Sequence, residues 1–185
     1  TIERPPSLVV IPEENDYEKK FKSVKDLCLE NDVTFYEGGK IASDYQLLTK
    51  LEKIKPEILF SCYYPYIIPK QMLEIPHKGG LNFHGGLLPE YRGTFSGVWS
   101  IINDESKSGV TLHYMDSRID LGDIVDIKEC RITDDDTGIS LYKKTSIISI
   151  EMFKKYYNLI SDKKVLKRKK QQLDNGKYYK RELPY

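Results

Sequence analysis

Asn82 and His84 stand two residues apart in a stretch that reads as extended chain, and Asp120 follows further along. In an extended backbone, side chains at i and i+2 share a face, so the Asn82 amide and the His84 imidazole point the same way. An amide N–H polarises a carbonyl, and an imidazole moves a proton near neutral pH. A carboxylate at Asp120, arriving from another strand end, can accept the imidazole N–H and fix its tautomer and orientation. Carbonyl polariser, base and orienter together suit acyl transfer. No serine or cysteine lies in an activating motif, and the G-x-S-x-G pattern is absent. The expected nucleophile is therefore the acceptor's own amine, and the acyl group, of one carbon or more, comes from a carrier.

The elements that must position these groups alternate between strand and helix. Leu8–Ile11, Val33–Tyr36, Ile58–Phe60 and Gly80–Phe83 read as short strands, Val110–Met115 and Ile124–Ile132 as longer ones. Tyr17, Phe21, Val24, Leu27 and Cys28 recur at helical spacing up to Glu30. Ser43 with Gln46 predicts a capping box for a helix running to about Lys53. Tyr63–Pro69 is too rich in proline for a central strand, and short helices are expected near Lys70–Glu74 and Ser96–Ile102. Thr137 is placed to cap a long helix with Leu141, Ile148, Met152 and Tyr156 on one face. This order predicts an α/β, Rossmann-like fold: a mostly parallel sheet with helices on both faces. Ligands of such sheets sit beyond the carboxyl ends of strands, which is where His84 and Asp120 fall.

The chain has 185 residues, a formal net charge of +1, 39% apolar and 31% charged residues. That is enough apolar residue for one core. No run of about 18 apolar residues occurs, which excludes a membrane-spanning helix, and Thr1–Pro6 lacks a secretory pattern. Cys28, Cys62 and Cys130 are scattered, with no CxxC and no Cys/His pairing. Neither a disulfide framework nor a metal site is expected, Cys62 reads as buried filler, and a reducing cytoplasm is the default compartment. The charge is uneven. Residues 163–185 hold nine Lys/Arg against two acids, while the rest of the chain is acidic. Such a tail suits an anionic partner or simply solvent. The expected organisation is a catalytic domain over 1–160 and a basic tail over 161–185.

The run Asn82-Phe83-His84-Gly85-Gly86-Leu87-Leu88-Pro89-Glu90-Tyr91-Arg92-Gly93, then Gly109–Met115, then Asp120-Leu121-Gly122-Asp123-Ile124, resembles the 10-formyltetrahydrofolate-dependent formyltransferase family. Gly86 departs from the family's usual serine. The resemblance, which spans about Leu8 to Phe153, implies that Asn82, His84 and Asp120 are catalytic and that the formyl donor is 10-formyltetrahydrofolate. It maps cofactor contact onto the segment around Tyr64, Tyr66 and Ile67, where backbone atoms dominate, and onto Asp116 and Asp120. The family begins with a strand and helix ahead of the strand matched at Leu8–Ile11. The resemblance therefore implies that roughly two dozen residues precede Thr1 in the intact protein, about the length of a βα pair.

Tyr-Arg-Gly followed by Trp99, with Thr-x-His-Tyr-Met-Asp and the ending Gly176–Pro184, looks like the sugar N-formyltransferases. The implied acceptor is a nucleotide-linked amino sugar, contacted by Tyr91, Arg92, Trp99 and Lys177. Arg92 either meets a ligand phosphate or braces its loop, with bracing favoured. Trp99 reads as core or pocket wall, and His113 as a second support for the site or a packed histidine. Alternatives are a methionyl-tRNA formyltransferase, a formyltetrahydrofolate deformylase, or a non-catalytic folate or nucleotide binder. A membrane is not an expected partner, nor is a nucleic acid. A homodimer is an allowed assembly, since this group often pairs.

Overall fold

Short apolar runs become strands, and polar side chains cap three of the helices between them. The computed structural model describes residues 5–12, 23–38, 41–174 and 176–182. In chain order the elements are β1 (Val9–Ile11), α1 (Val24–Glu30), β2 (Phe35–Glu37), α2 (Tyr45–Ile54), β3 (Leu59–Cys62), α3 (Lys70–Leu73), β4 (Gly80–His84), β5 (Tyr91–Gly93), α4 (Ser96–Ile102), β6 (Lys107–Tyr114), β7 (Ile124–Arg131), α5 (Gly138–Ser161) and β8 (Lys177–Tyr179). The alternation expected of an α/β fold is present. Tyr17 and Phe21, assigned to the first helix, lie outside the described residues.

Two compact units divide the chain: residues 1–58 with 64–78, and residues 59–63 with 79–185. In the first, β1 and β2 pair in parallel with Val9 opposite Phe35. Ile41, Leu47, Leu51 and Met72 form its core, and Val10, Tyr36, Tyr64 and Ile68 pack against them. The expected capping box at Ser43 and Gln46 is replaced by Asp44. Its carboxylate accepts the Leu47 N–H at 2.9 Å and the Tyr36 hydroxyl at 2.9 Å. The cap moves because Ile41–Ser43 form a tight 3₁₀ turn ahead of α2, and a carboxylate favours a helix N-terminus.

The second unit is built on a four-stranded sheet in the order β3-β4-β6-β7. β3 and β4 are parallel, while β6 runs antiparallel to both β4 and β7. β1–β2 and β5–β8 are also parallel, so three of the five strand pairs among the described residues are parallel. β4 is flanked on both sides and is almost wholly buried. On one face, Phe83 meets Phe153 of α5 at 6.0 Å and Phe60 of β3 at 6.2 Å between ring centroids. This apolar face fixes the register of β4, so that Asn82 and His84 must emerge on the other face. α5 begins at a capping box between Thr137 and Ser140 and buries Leu141, Thr145, Met152, Tyr156 and Ile160. Ile148, expected on that face, is only half-buried. Cys62, expected to be buried, is exposed at the end of β3, where the strand leaves the sheet.

The basic tail is not simply solvated. Lys177–Tyr179 form β8, parallel to β5, with Tyr91 opposite Lys177 and Gly93 opposite Tyr179. Gly93 sits at φ +98°, and a Cβ there would lie 2.1 Å from the Tyr179 carbonyl oxygen, so both backbone angle and close approach require glycine. Among the described residues, no helix is long and apolar enough to cross a membrane.

Candidate active site

Asn82, His84 and Asp120 come together in the second unit. His84 is 7% exposed, and its Nδ1 faces Asp120 Oδ2 at 3.6 Å. Asn82 lies directly across from His113 in the β4–β6 pair, and its Nδ2 is 3.1 Å from His113 Nε2. His113 Nε2 is in turn 3.5 Å from Asp120 Oδ1. The carboxylate thus faces two imidazoles, one from each of two neighbouring strands.

The His84 tautomer is set differently from the sequence-based expectation. Its Nε2–H donates to the Tyr91 backbone carbonyl across 2.6 Å. A carbonyl only accepts, so the proton of neutral His84 resides on Nε2, and Nδ1 presents a lone pair toward Asp120. At 3.6 Å, Asp120 is too distant to be the hydrogen-bonded orienter of a neutral ring. It is placed instead to stabilise the ring once Nδ1 is charged. His113 is fixed in a similar way: its Nδ1–H donates to the Tyr114 carbonyl at 2.8 Å, which leaves Nε2 to accept from the Asn82 amide.

Electrostatics follow from this burial. Desolvation lowers the His84 pKa, only partly opposed by Asp120 and the Tyr91 carbonyl, so His84 rests neutral at physiological pH. Burial would raise the Asp120 carboxyl, but contact with His113, the His84 imidazole and the Gly93 N–H more than offset it and hold it at about 2. A neutral base beside a fixed anion can take up a proton, and the anion then balances the charge that the base acquires.

The turn carrying Asp120 is held from several sides. Asp120 has φ 53°, a left-handed conformation that aspartate tolerates better than most residues. Its Oδ2 accepts the Gly93 N–H at 2.8 Å. Gln171 Nε2 donates to the Asp120 carbonyl at 2.9 Å and to the Gly122 carbonyl at 2.7 Å. A Cβ at Gly122 would lie 1.8 Å from the Tyr114 carbonyl oxygen, so a larger residue would push the whole turn off β6.

The other residues assigned from the sequence are placed as follows. The Tyr91 hydroxyl donates to Glu105 at 2.6 Å, and its ring stacks on Tyr179 at 5.2 Å, so this side chain is engaged by the fold. Arg92 Nη2 bonds the Gly176 carbonyl at 3.2 Å and braces the tail. Trp99 lies 4.9 Å from the Tyr179 ring, and its buried indole N–H has no hydrogen-bond partner among the described residues. Lys177 is exposed on β8. Asp116 accepts from both the Arg118 N–H and its guanidinium at 2.7 Å. Tyr64, Tyr66 and Ile67 belong to the first unit; the two tyrosine rings pack edge to face at 5.7 Å, and Ile67 is exposed. Several contributors escaped the sequence reading: the Tyr91 and Tyr114 carbonyls, the Gly93 N–H, Gln171, and Ser96, whose Oγ lies 3.2 Å from His84 Nε2. A backbone carbonyl carries no residue signature, and neither a lone glutamine nor a lone serine forms a motif.

A family model described as formyl transferase matches residues 10–155. The chain belongs to the formyl transferase family. It is 38% identical over 145 residues to the bifunctional polymyxin resistance protein ArnA of Wigglesworthia glossinidia brevipalpis, covering 78% of this chain and 22% of that protein. It is 37% identical over 139 residues to the methionyl-tRNA formyltransferase of Clostridioides difficile, covering 75% and 45% respectively. Among solved structures it resembles WlaRD, a sugar 3N-formyltransferase crystallised with dTDP and 5-N-formyl-THF. The TM-score is 0.74 at 27% identity, over 94% of this chain and 59% of that one. The N-formyltransferase of Helicobacter canadensis, solved with folinic acid and dTDP-3-aminofucose, gives 0.74 at 28% identity, over 94% and 60%. The chain therefore spans less than half the length of these curated relatives, and about 60% of these solved chains.

Proposed function

We propose that this formyl transferase chain moves a formyl group from 10-formyltetrahydrofolate to the amine of a nucleotide-linked amino sugar, in the cytoplasm. The observation that carries the reading is the meeting of the Asn82 amide, the His84 Nδ1 lone pair and the Asp120 carboxylate in a formyl transferase fold. This donor set fits a formyl group: an N–H for its oxygen, and a base beside the carbon under attack. When bound, 10-formyltetrahydrofolate supplies an amide carbonyl open to attack by an amine.

Asn82 keeps one amide N–H on His113 and offers the other to the formyl oxygen, where negative charge develops. His84 Nδ1 takes the proton that the attacking amine loses, and Asp120 stabilises the resulting imidazolium. His84 then returns that proton to the departing nitrogen, so the site ends as it began. Trp99 would border the acceptor, while Arg92, bonded to the Gly176 carbonyl, braces the tail beside it.

The sugar acceptor is supported by a likeness, over 94% of the chain, to a sugar 3N-formyltransferase and to an N-formyltransferase solved with dTDP-3-aminofucose. The methionyl-tRNA reading draws on the 37% identity over 75% of the chain. The test incubates the purified protein with 10-formyltetrahydrofolate and a panel of nucleotide-linked amino sugars, with charged methionyl-tRNA in parallel. A mass gain of one formyl group on an amino sugar is the expected result. Product on the tRNA alone moves the acceptor to the second reading, and donor hydrolysis without an acceptor points to a deformylase.

A further inference from the structure

Ser96 meets the back of His84 at a point that acyl transfer does not account for. It opens α4, is 4% exposed, and sets Oγ 3.2 Å from His84 Nε2 and 3.1 Å from the Tyr91 carbonyl oxygen. A Cβ built on Gly86 would lie 2.5 Å from Ser96 Cβ, 2.9 Å from Ser96 Oγ and 3.0 Å from His84 Nε2. The first distance cannot be relieved by a rotamer, because Ser96 Cβ is tied to the helix backbone. Gly86 is not among the positive-φ residues, so space rather than backbone conformation demands glycine. The Nε2 edge of His84 thus has room for the Ser96 hydroxyl with glycine at 86; a hydroxyl from residue 86 needs glycine at 96 and a shift of a few tenths of an ångström in the His84 ring.

We infer that Ser96 is a positioning residue for His84: its hydroxyl, seated in the space Gly86 leaves, holds the ring with Nε2 on the Tyr91 carbonyl and Nδ1 toward Asp120. The kinetic part of this inference rests on the formyl-transfer reading; the geometric part does not. Ser96 O–H donates to the Tyr91 carbonyl, and the Ser96 lone pairs remain available to the His84 Nε2–H. That N–H becomes a stronger donor when Nδ1 is protonated, so the hydroxyl favours the charged ring. The charged or titratable groups that face His84 are Asp120 and His113, the latter at 6.3 Å between ring centroids. Neither is altered by a change at 96, so a shifted His84 titration on substitution belongs to the hydroxyl.

The experiment compares the wild-type protein with Ser96→Ala, Gly86→Ser and the double variant Gly86→Ser/Ser96→Gly. It follows the His84 ring nitrogens by ¹⁵N NMR against pH, alongside steady-state formyl transfer. Ser96→Ala is expected to lower kcat about three- to tenfold, the loss of one buried hydrogen bond, with acceptor KM within about twofold, and to move His84 titration to lower pH. Gly86→Ser alone overpacks and lowers thermal stability. The double variant returns the hydroxyl from the other side and restores kcat and titration toward wild type. Ser96→Ala with kcat and His84 titration both unchanged overturns the inference, as does a double variant no better than Ser96→Ala. If the wild-type protein formylates no acceptor, the functional reading fails, and the His84 titration alone decides the role of Ser96.

Discussion

Asn82 and His113 are direct partners across β4 and β6, with the Asn82 amide nitrogen 3.1 Å from His113 Nε2. His113 is in turn pinned by its own bond to the Tyr114 carbonyl at 2.8 Å. The amide is therefore oriented before any ligand arrives, and the cost of ordering it is met by folding.

Substitution of His113 tests this preorganisation. His113→Ala leaves Asn82 in place but free to rotate, and kcat for formyl transfer is expected to fall about tenfold, an oxyanion donor loosened rather than lost. Asn82→Ala, which removes the donor, is expected to cost about 10²–10³-fold. Single-turnover rates at saturating donor and acceptor measure both. Equal losses would mean that His113 does more than hold the amide.

The pH dependence of transfer should follow His84. Its pKa is lowered from the ordinary histidine value mainly by burial, so the neutral base persists below pH ~6.5, where a free histidine would already be half charged. The acid limb of kcat/KM is expected below that pH. The buried neutral ring also contributes stability that is present above the unfolded value and lost as pH falls toward the folded one. A profile whose acid limb lies above pH ~7 would contradict a neutral resting base.

Asp120 makes the opposite kind of statement. Its folded pKa of about 2 is below the ordinary carboxylate value, so it contributes stability that is present above pH ~4 and lost as pH falls through 2. The contribution is on the order of 2 kcal/mol for this largely buried group. Urea unfolding at pH 6 and at pH 2.5 should show a smaller difference in Asp120→Asn than in wild type, together with a strongly reduced kcat.

The tail strand can be separated from mere charge. Tyr179 stacks on Tyr91 and packs on Trp99, and its hydroxyl accepts from Asn103 at 2.8 Å, whereas neighbouring Tyr178 is 47% exposed. Tyr179→Ala is expected to cost about 2 kcal/mol of stability and, because Thr94 N–H bonds the Tyr179 carbonyl at 3.1 Å beside Gly93, to lower kcat as well. Tyr178→Ala should lie within about 0.5 kcal/mol of wild type. Chemical denaturation of the two variants decides the matter.

What the sequence determined by itself is local. The two-residue period of a strand puts Asn82 and His84 on one face opposite Phe83, and apolar spacing with Thr137 marks the long helix α5; both follow from bonds between near neighbours. The family motifs likewise name Asp120 by type and order. Tertiary structure decided the rest. The tautomer of His84 depends on the Tyr91 carbonyl, a group every residue carries, so no letter in the sequence announces it. Asp44 rather than Ser43 caps α2, because the preceding tight turn brings its carboxylate onto the Leu47 N–H. Lys177–Tyr179 read as part of a charged tail, because charged residues suit an edge strand as well as they suit solvent. Only the backbone of β5 and the rings of Tyr91 and Trp99 made that segment a strand. Each of these outcomes turns on distances between groups far apart in the chain, which spacing along the chain does not encode.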